Sequence, residues 1–222
     1  MTDSFAAHWE RRHAADPVLQ EFDDVRDRGR ERPHDYVFLV DIEDETVLDA
    51  LGAAADALDD LDGVEGASRE YLHATVKMLG FVVSDPTGED EVSRETAARL
   101  AAEASDAVDD IDPFELRLPR LNVFPSVVFC EVHDDGVLGA VHDRLLGLDG
   151  MPRYRYDGDD YTPHVSLAHF DTEAGFRRAV EWTEANRKVD AGRVIVDAFK
   201  LVDIDLREAY PTFETVERYE LG

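Results

Sequence analysis

The chain has 222 residues, 44% of them apolar, enough for one sizeable domain or for two small lobes sharing a core. Its 51 acidic against 23 basic side chains leave a formal charge of −28, with only three lysines, Lys77, Lys188 and Lys200. An unscreened charge of that size repels polyanions and so excludes DNA or RNA binding through a broad basic face, but not a small phosphorylated ligand held in a local pocket.

The acids are spread along the whole chain instead of forming one block. Self-repulsion on that scale is screened only in concentrated salt, where the Debye length shrinks to about 3 Å near 1 M. The composition therefore points to a salt-adapted source such as a halophilic archaeon. The single cysteine, Cys130, sits in the apolar run "SVVFCEV" and reads as a core thiol, with no disulfide within the chain. No leader-like stretch opens the sequence and no run approaches about 18 apolar residues, so a soluble, cytoplasmic protein without a membrane partner, acting as a monomer, is expected.

In chain order, residues 1–34 are polar, end in the Pro33-His34 pair and read as a helical or loosely ordered extension; a domain is expected over 35–222. "DYVFLVDI" at 35–42 suits a strand, and apolar residues at 47, 48, 51, 54, 55, 58 and 61 predict a helix with one buried face. A strand over 71–82 and a helix over about 91–109 follow. "FELRLPRLNVFP" and "SVVFCEV" read as strands, the first weakened by Pro119. A helix at about 136–148, a loop "MPRYRYDGDDYTP", a strand "HVSLAHF", a helix over 173–188, one long strand over 192–206 and a last strand around 212–221 complete the pattern. Strand and helix thus alternate twice in a similar order, which suggests an internal duplication.

Two of these strands carry the chemistry. With period two, 71–78 places Tyr71, His73, Thr75 and Lys77 on one face and Leu72, Ala74, Val76 and Met78 on the other. The stretch 162–168 likewise puts Thr162, His164 and Ser166 on one face. Both offer an imidazole and then a hydroxyl, "HATV" and "HVSL", with an apolar residue after each. Eight His and seventeen Ser or Thr in 222 residues would give roughly 0.6 bare His-x-Ser/Thr matches by chance. The apolar requirement cuts that to about 0.12, so the pair is informative where each member is weak.

Two imidazoles can serve as base and acid in cleaving a phosphodiester without a metal, and hydroxyls beside them can bind the non-bridging oxygens as charge builds there. On "HATV" at 73–76 and "HVSL" at 164–167 the chain resembles the two-histidine (2H) phosphoesterase superfamily, the 2'-5' RNA ligase and cyclic phosphodiesterase group. The resemblance spans roughly 35–221. It implies an α+β, bilobal, pseudo-two-fold duplicated fold, with antiparallel sheets lining a central cleft and helices outside. It also implies His73 and His164 as the catalytic acid and base, Thr75 and Ser166 as phosphate-binding residues, and no metal or other cofactor.

There are departures. Many RNA-acting members carry an arginine five residues after the second motif histidine, where this chain has His169, which period two assigns to the apolar side. Lys77 stands where an apolar or aromatic residue is common; period two puts it on the working face, where it could supply the missing phosphate-binding charge. Phe124, in "NVFP", occupies a place where the family often has an aromatic that can stack on a base. His8, His13, His34, His133 and His142 lack metal-type spacing and read as surface residues.

The expected activity is hydrolysis of a cyclic phosphodiester, such as a 2',3'-cyclic phosphate on a nucleotide or RNA end, with 2'-5' RNA ligase-type activity as a related reaction. The alternatives are a non-catalytic module of the same fold that binds a phosphorylated ligand or RNA, and a His-ligated metal hydrolase.

Overall fold

The computed structural model describes residues 4–20, 27, 29–207 and 213–222; residues 1–3, 21–26 and 28 of the N-terminal extension and Thr212 of the last expected strand lie outside them. A first helix, α1 (Ser4–Arg11), precedes strand β1 (His34–Asp41) and helix α2 (Glu45–Asp59). The Asp44 carboxylate caps α2 by accepting from the Thr46 and Val47 amides, each at 3.0 Å. The helix buries Val47, Leu51, Ala54, Ala55 and Leu58, the stripe its apolar spacing predicts.

A short strand, β2 (Val64–Gly66), comes before β3 (His73–Val83). The helix expected over 91–109 starts late, because Glu91–Ser93 is a strand, β4, parallel to the end of β3; Ser93 then caps α3 (Arg94–Val108). Proline has no N–H to give a ladder, and the run around Pro119 splits into β5 (Phe114–Leu118) and β6 (Leu121–Val123). Next come β7 (Val127–Glu131), α4 (Val137–Leu146), β8 (His164–Phe170) and α5 (Glu173–Asn186). The long strand expected over 192–206 is two strands, β9 (Gly192–Val196) and β10 (Ala198–Asp205), which pair with different partners; β11 (Phe213–Glu220) follows.

Seven strands run in the order β11-β10-β1-β3-β8-β7-β6, with β2 beside β8 and β4 beside β3, while β5 and β9 form a separate pair. The fold is α+β and bilobal, with the duplicated order β1-α2-β3 and β7-α4-β8. The halves meet where Ala74 of β3 pairs antiparallel with Val165 of β8. Each half's helix crosses to the other: α2 lies against β8 and β2, and α4 against β3. One hydrophobic core therefore runs under both lobes, from Leu51 and Leu58 to Val141 and Phe176, and includes Cys130, whose thiol pKa is raised by burial.

The opposite face of the sheet carries two small apolar clusters. Val37, Leu39, Val202 and Ile204 group with Phe213 in the first lobe; Phe5, Val127 and Phe129 group with Phe124 in the second. The N-terminal segment is tied to this second lobe. The Phe5 carbonyl accepts from Asn122 Nδ2 (2.9 Å), the Arg187 guanidinium lies 3.6 Å over the Trp9 ring, and the Val18 and Gln20 amides donate to Pro125 and Phe170. Among the described residues no helix is long and apolar enough to cross a membrane.

Candidate active site

On β3 and β8 the half-buried side chains His73, Thr75, His164 and Ser166 alternate with the buried Ala74, Val76, Val165 and Leu167. All four polar groups thus face away from the main core. Neighbouring strands repeat the same arrangement in each lobe. Asp41 stands opposite His73 and Leu39 opposite Thr75; Glu131 stands opposite His164 and Phe129 opposite Ser166. Counting antiparallel from the Ala74–Val165 pair, His73 lies on the Ser166 side of the joint and His164 on the Thr75 side.

The two imidazoles are held alike. His73 Nδ1–H donates to the Tyr71 carbonyl at 2.6 Å, and His164 Nδ1–H donates to the Thr162 carbonyl at 2.8 Å, in each case the carbonyl two residues earlier. A carbonyl can only accept, so the proton of each neutral ring sits on Nδ1 and Nε2 carries the lone pair. Thr75 Oγ1 lies 3.1 Å from His73 Nε2 and donates to it. The His73 ring meets Tyr71 and Phe213 edge-on, with centroids at 5.2 and 4.9 Å, and the His164 ring meets Phe124 and Phe129 at 5.0 and 5.4 Å.

Burial lowers the pKa of both histidines. At His73 the Tyr71 carbonyl and the Asp41 charge oppose that fall. His164 is brought down to about 4: burial leads, the Thr162 carbonyl opposes it, and His73, His169 and His8 add like-charge repulsion. The two facing carboxylates are themselves paired, Asp41 with Lys200 Nζ at 2.8 Å, and buried Glu131 with Arg120 Nε at 2.9 Å, Arg187 at 3.2 Å and His133 Nε2 at 3.1 Å.

Two positions depart from strict alternation, and the cause is the same in both strands. Opposite β1, Phe38 pairs with Lys77 but Leu39 with Thr75, so Val76 is an extra residue; opposite β7, Val128 pairs with Ala168 but Phe129 with Ser166, so Leu167 is extra. A bulge of one residue turns everything beyond it to the other face. Lys77 is therefore not on the working face, as period two predicts: it is 1% exposed, and Met78, 37% exposed, takes that face instead. The Lys77 ammonium reaches Asp157 Oδ2 at 3.0 Å and the Met78 carbonyl at 2.8 Å, and lies 4.6 Å over the Tyr154 ring. His169 is corrected in the opposite sense. The bulge returns it to the face of His164 and Ser166, half-buried, with Nδ1 donating to the Ser126 carbonyl at 3.2 Å.

The β3 bulge is held from below. His142 is buried, not on the surface: its Nδ1–H donates to the Val76 carbonyl at 2.7 Å, its Nε2 accepts the Gly158 N–H at 3.0 Å, and its ring stacks on Tyr161 at 4.1 Å. Tyr161 in turn donates its hydroxyl to the Thr75 carbonyl at 2.9 Å. The loop 151–163 thereby grips the strand on both sides of the extra residue. The signal for His142 was in the sequence, since it shares the helical stripe of Leu138, Val141 and Leu145.

Phe124 is half-buried, stacked on Phe129 at 3.9 Å, and touches His164 and His8 with its centroid 5.0 and 4.6 Å from theirs. His8 is thus a site neighbour that an isolated reading of the N-terminal segment misses. Among the described residues no group of three or more His, Cys, Asp or Glu side chains is arranged to hold a metal ion.

Comparisons with known proteins bear on the family and the fold. The family model described as the 2'-5' RNA ligase superfamily matches residues 7–208, so the likeness begins within the N-terminal segment and not at about 35. No curated protein matches the sequence. Among solved structures, TT0787 of Thermus thermophilus superposes with a TM-score of 0.56 at 20% identity, over 84% of this chain and 97% of that one. E. coli LigT complexed with NADP+ gives 0.61 at 18% identity over 86% and 98%, and E. coli LigT complexed with 3'-AMP gives 0.62 at 14% over 85% and 98%.

Proposed function

Because the chain belongs to the 2'-5' RNA ligase superfamily, we propose that it is a metal-independent 2H phosphoesterase that hydrolyses a cyclic phosphodiester, the 2',3'-cyclic phosphate of a nucleotide or RNA end. One observation carries the reading. Two imidazoles on facing strands each have Nδ1 tied to a carbonyl, leaving Nε2 as the working nitrogen, and each has a hydroxyl two residues on along the same face. The NADP+ and 3'-AMP of the LigT structures are nucleotides, the same chemical class as this proposed substrate.

In this reading His164 is the base. Neighbouring imidazoles add to the burial that keeps it neutral, so its Nε2 lone pair can take a proton from water as the water oxygen bonds to phosphorus. His73 is the acid. The Asp41 charge favours its protonated form, and it delivers a proton to the ribose oxygen as the phosphorus–oxygen bond breaks. The Thr75 and Ser166 hydroxyls bind the non-bridging oxygens. The product is a ribose hydroxyl beside a phosphomonoester. With a second nucleotide's 5'-hydroxyl in place of water, the same groups would deprotonate it as it bonds to phosphorus and protonate the departing 3'-oxygen, leaving a 2'-5' linkage. The −28 charge limits recognition to a nucleotide or RNA terminus and suits a cytoplasmic monomer of a salt-adapted organism.

Turnover of 2',3'-cyclic AMP in concentrated KCl, with and without chelator, tests the proposal. Wild type is expected to give a single phosphomonoester at a chelator-independent rate, and His73→Ala and His164→Ala to lose about 10² or more in kcat. Near-wild-type rates in both variants overturn the mechanism. Tight 3'-AMP binding without turnover identifies a ligand-binding module instead, and loss of activity with chelator identifies a metal hydrolase.

A further inference from the structure

His73, His164 and His169 each spend Nδ1 on a backbone carbonyl. His8 does not. Among the described residues its ring is half-buried beside Phe124, yet neither nitrogen has a hydrogen-bond partner. A half-enclosed imidazole with both nitrogens uncommitted can donate one hydrogen bond and accept another.

Its position is set by α1, whose turn spacing puts Phe5, His8, Trp9 and Arg12 along one side. Phe5 enters the small core with Phe129 and stacks on His133 at 5.2 Å, while Trp9 lies between the guanidiniums of Arg12 and Arg187. These anchors leave His8 one aromatic ring beyond His164, with Phe124 touching both. His8 therefore borders the site on the His164 side, against the Phe124 ring that also touches His164. The first lobe offers Phe213 and Tyr71 around His73 and, among the described residues, no corresponding imidazole there.

We propose, building on the phosphoesterase reading, that His8 is a substrate-binding residue for the nucleoside: with Phe124 it forms a wall beside His164, and its ring nitrogens exchange hydrogen bonds with the sugar or base. The N-terminal helix thereby makes the two half-sites unequal, so a nucleoside phosphate binds in one orientation. Burial, with Arg11 adding to it, lowers the pKa of His8, which fits a neutral partner better than a second phosphate.

The test compares two ligands that share the phosphate chemistry and differ in the nucleoside. For wild type, His8→Ala and His8→Gln, the ratio of kcat/KM for 2',3'-cyclic AMP to that for glycerol 1,2-cyclic phosphate is measured, together with the Kd ratio of 3'-AMP to inorganic phosphate by calorimetry. Both ratios are expected to shift against the nucleoside by about tenfold in His8→Ala, the effect of one neutral hydrogen bond, mainly through KM, and to recover largely in His8→Gln. Ratios equal to wild type, or losses that fall equally on both ligands, overturn the proposal. If wild type turns over neither cyclic ester the phosphoesterase reading fails, and the calorimetric ratio alone then decides the role of His8. Failure of wild type to bind 3'-AMP overturns both.

Discussion

The His142 imidazole donates Nδ1–H to the carbonyl of Val76 at 2.7 Å, and Val76 is one of two β3 residues, with Leu79, that the β1–β3 register skips. A bulge leaves a backbone group that the sheet cannot satisfy, and here a side chain from the other half of the duplication satisfies it. Since Thr75 immediately precedes the bulge, its hydroxyl is aimed by a contact on the far side of the strand. Replacing His142 by Ala removes the side-chain partner of the buried Val76 carbonyl and of the part-buried Gly158 N–H. A loss of about 2–4 kcal/mol is expected in urea unfolding, with a fall in kcat on the cyclic ester. Unchanged stability would mean that water replaces the imidazole without cost.

Lys77 and Asp157 make a buried pair, and the two side chains are 0% and 12% exposed. Removing one partner strands the other charge in the interior, so Lys77→Met is expected to cost about 3–5 kcal/mol. The double variant Lys77→Met with Asp157→Asn should be less damaged than the sum of the singles, as read from a double-mutant cycle in denaturant. Additive losses would show that the pair is not coupled.

The pH dependence of catalysis follows from the two assigned roles. With His164 as base at about 4 and His73 as acid below 6.5, kcat/KM should trace a bell with its acid limb near the first value and its alkaline limb under the second. Asp41 raises the His73 pKa, so Asp41→Asn should move the alkaline limb to lower pH and leave the acid limb in place. Movement of the acid limb instead would exchange the roles of the two histidines.

Stability carries the same titration with a definite sign. His164 binds its proton at about 4 when folded and near 6.5 when unfolded, so between these values the unfolded chain holds more protons. The contribution is fully present above the unfolded value and is lost as pH falls toward the folded one, with a slope of at most about 1.4 kcal/mol per pH unit for one proton. The His164→Asn variant should show a shallower loss of stability over this range. An identical slope would place the proton uptake elsewhere.

Salt should act on the whole chain. At −28, raising KCl from about 0.1 M to about 2 M is expected to lift the unfolding temperature by several degrees through screening. A flat melting profile would remove the case for a salt-adapted source.

Much of the site was legible in the chain because period two is a local property of extended backbone. "HATV" and "HVSL" expose His73, Thr75, His164 and Ser166 wherever those strands are placed. The helical stripes of α2 and α4 were equally local. Even the second bulge had a trace, since Leu167 and Ala168 are consecutive apolar residues followed by His169.

The amino-acid sequence by itself determined the duplicated strand-and-helix order, the two imidazole–hydroxyl pairs and the acidic surface, all of which rest on composition and short-range spacing. Only the tertiary structure decided that Lys77 turns inward, that Met78 and His169 turn outward, and that His8 and Phe124 come to rest beside His164. The reason is physical: a bulge is the difference between two strands in register, and the docking of α1 is a contact across more than a hundred residues, so neither is a property of any one segment.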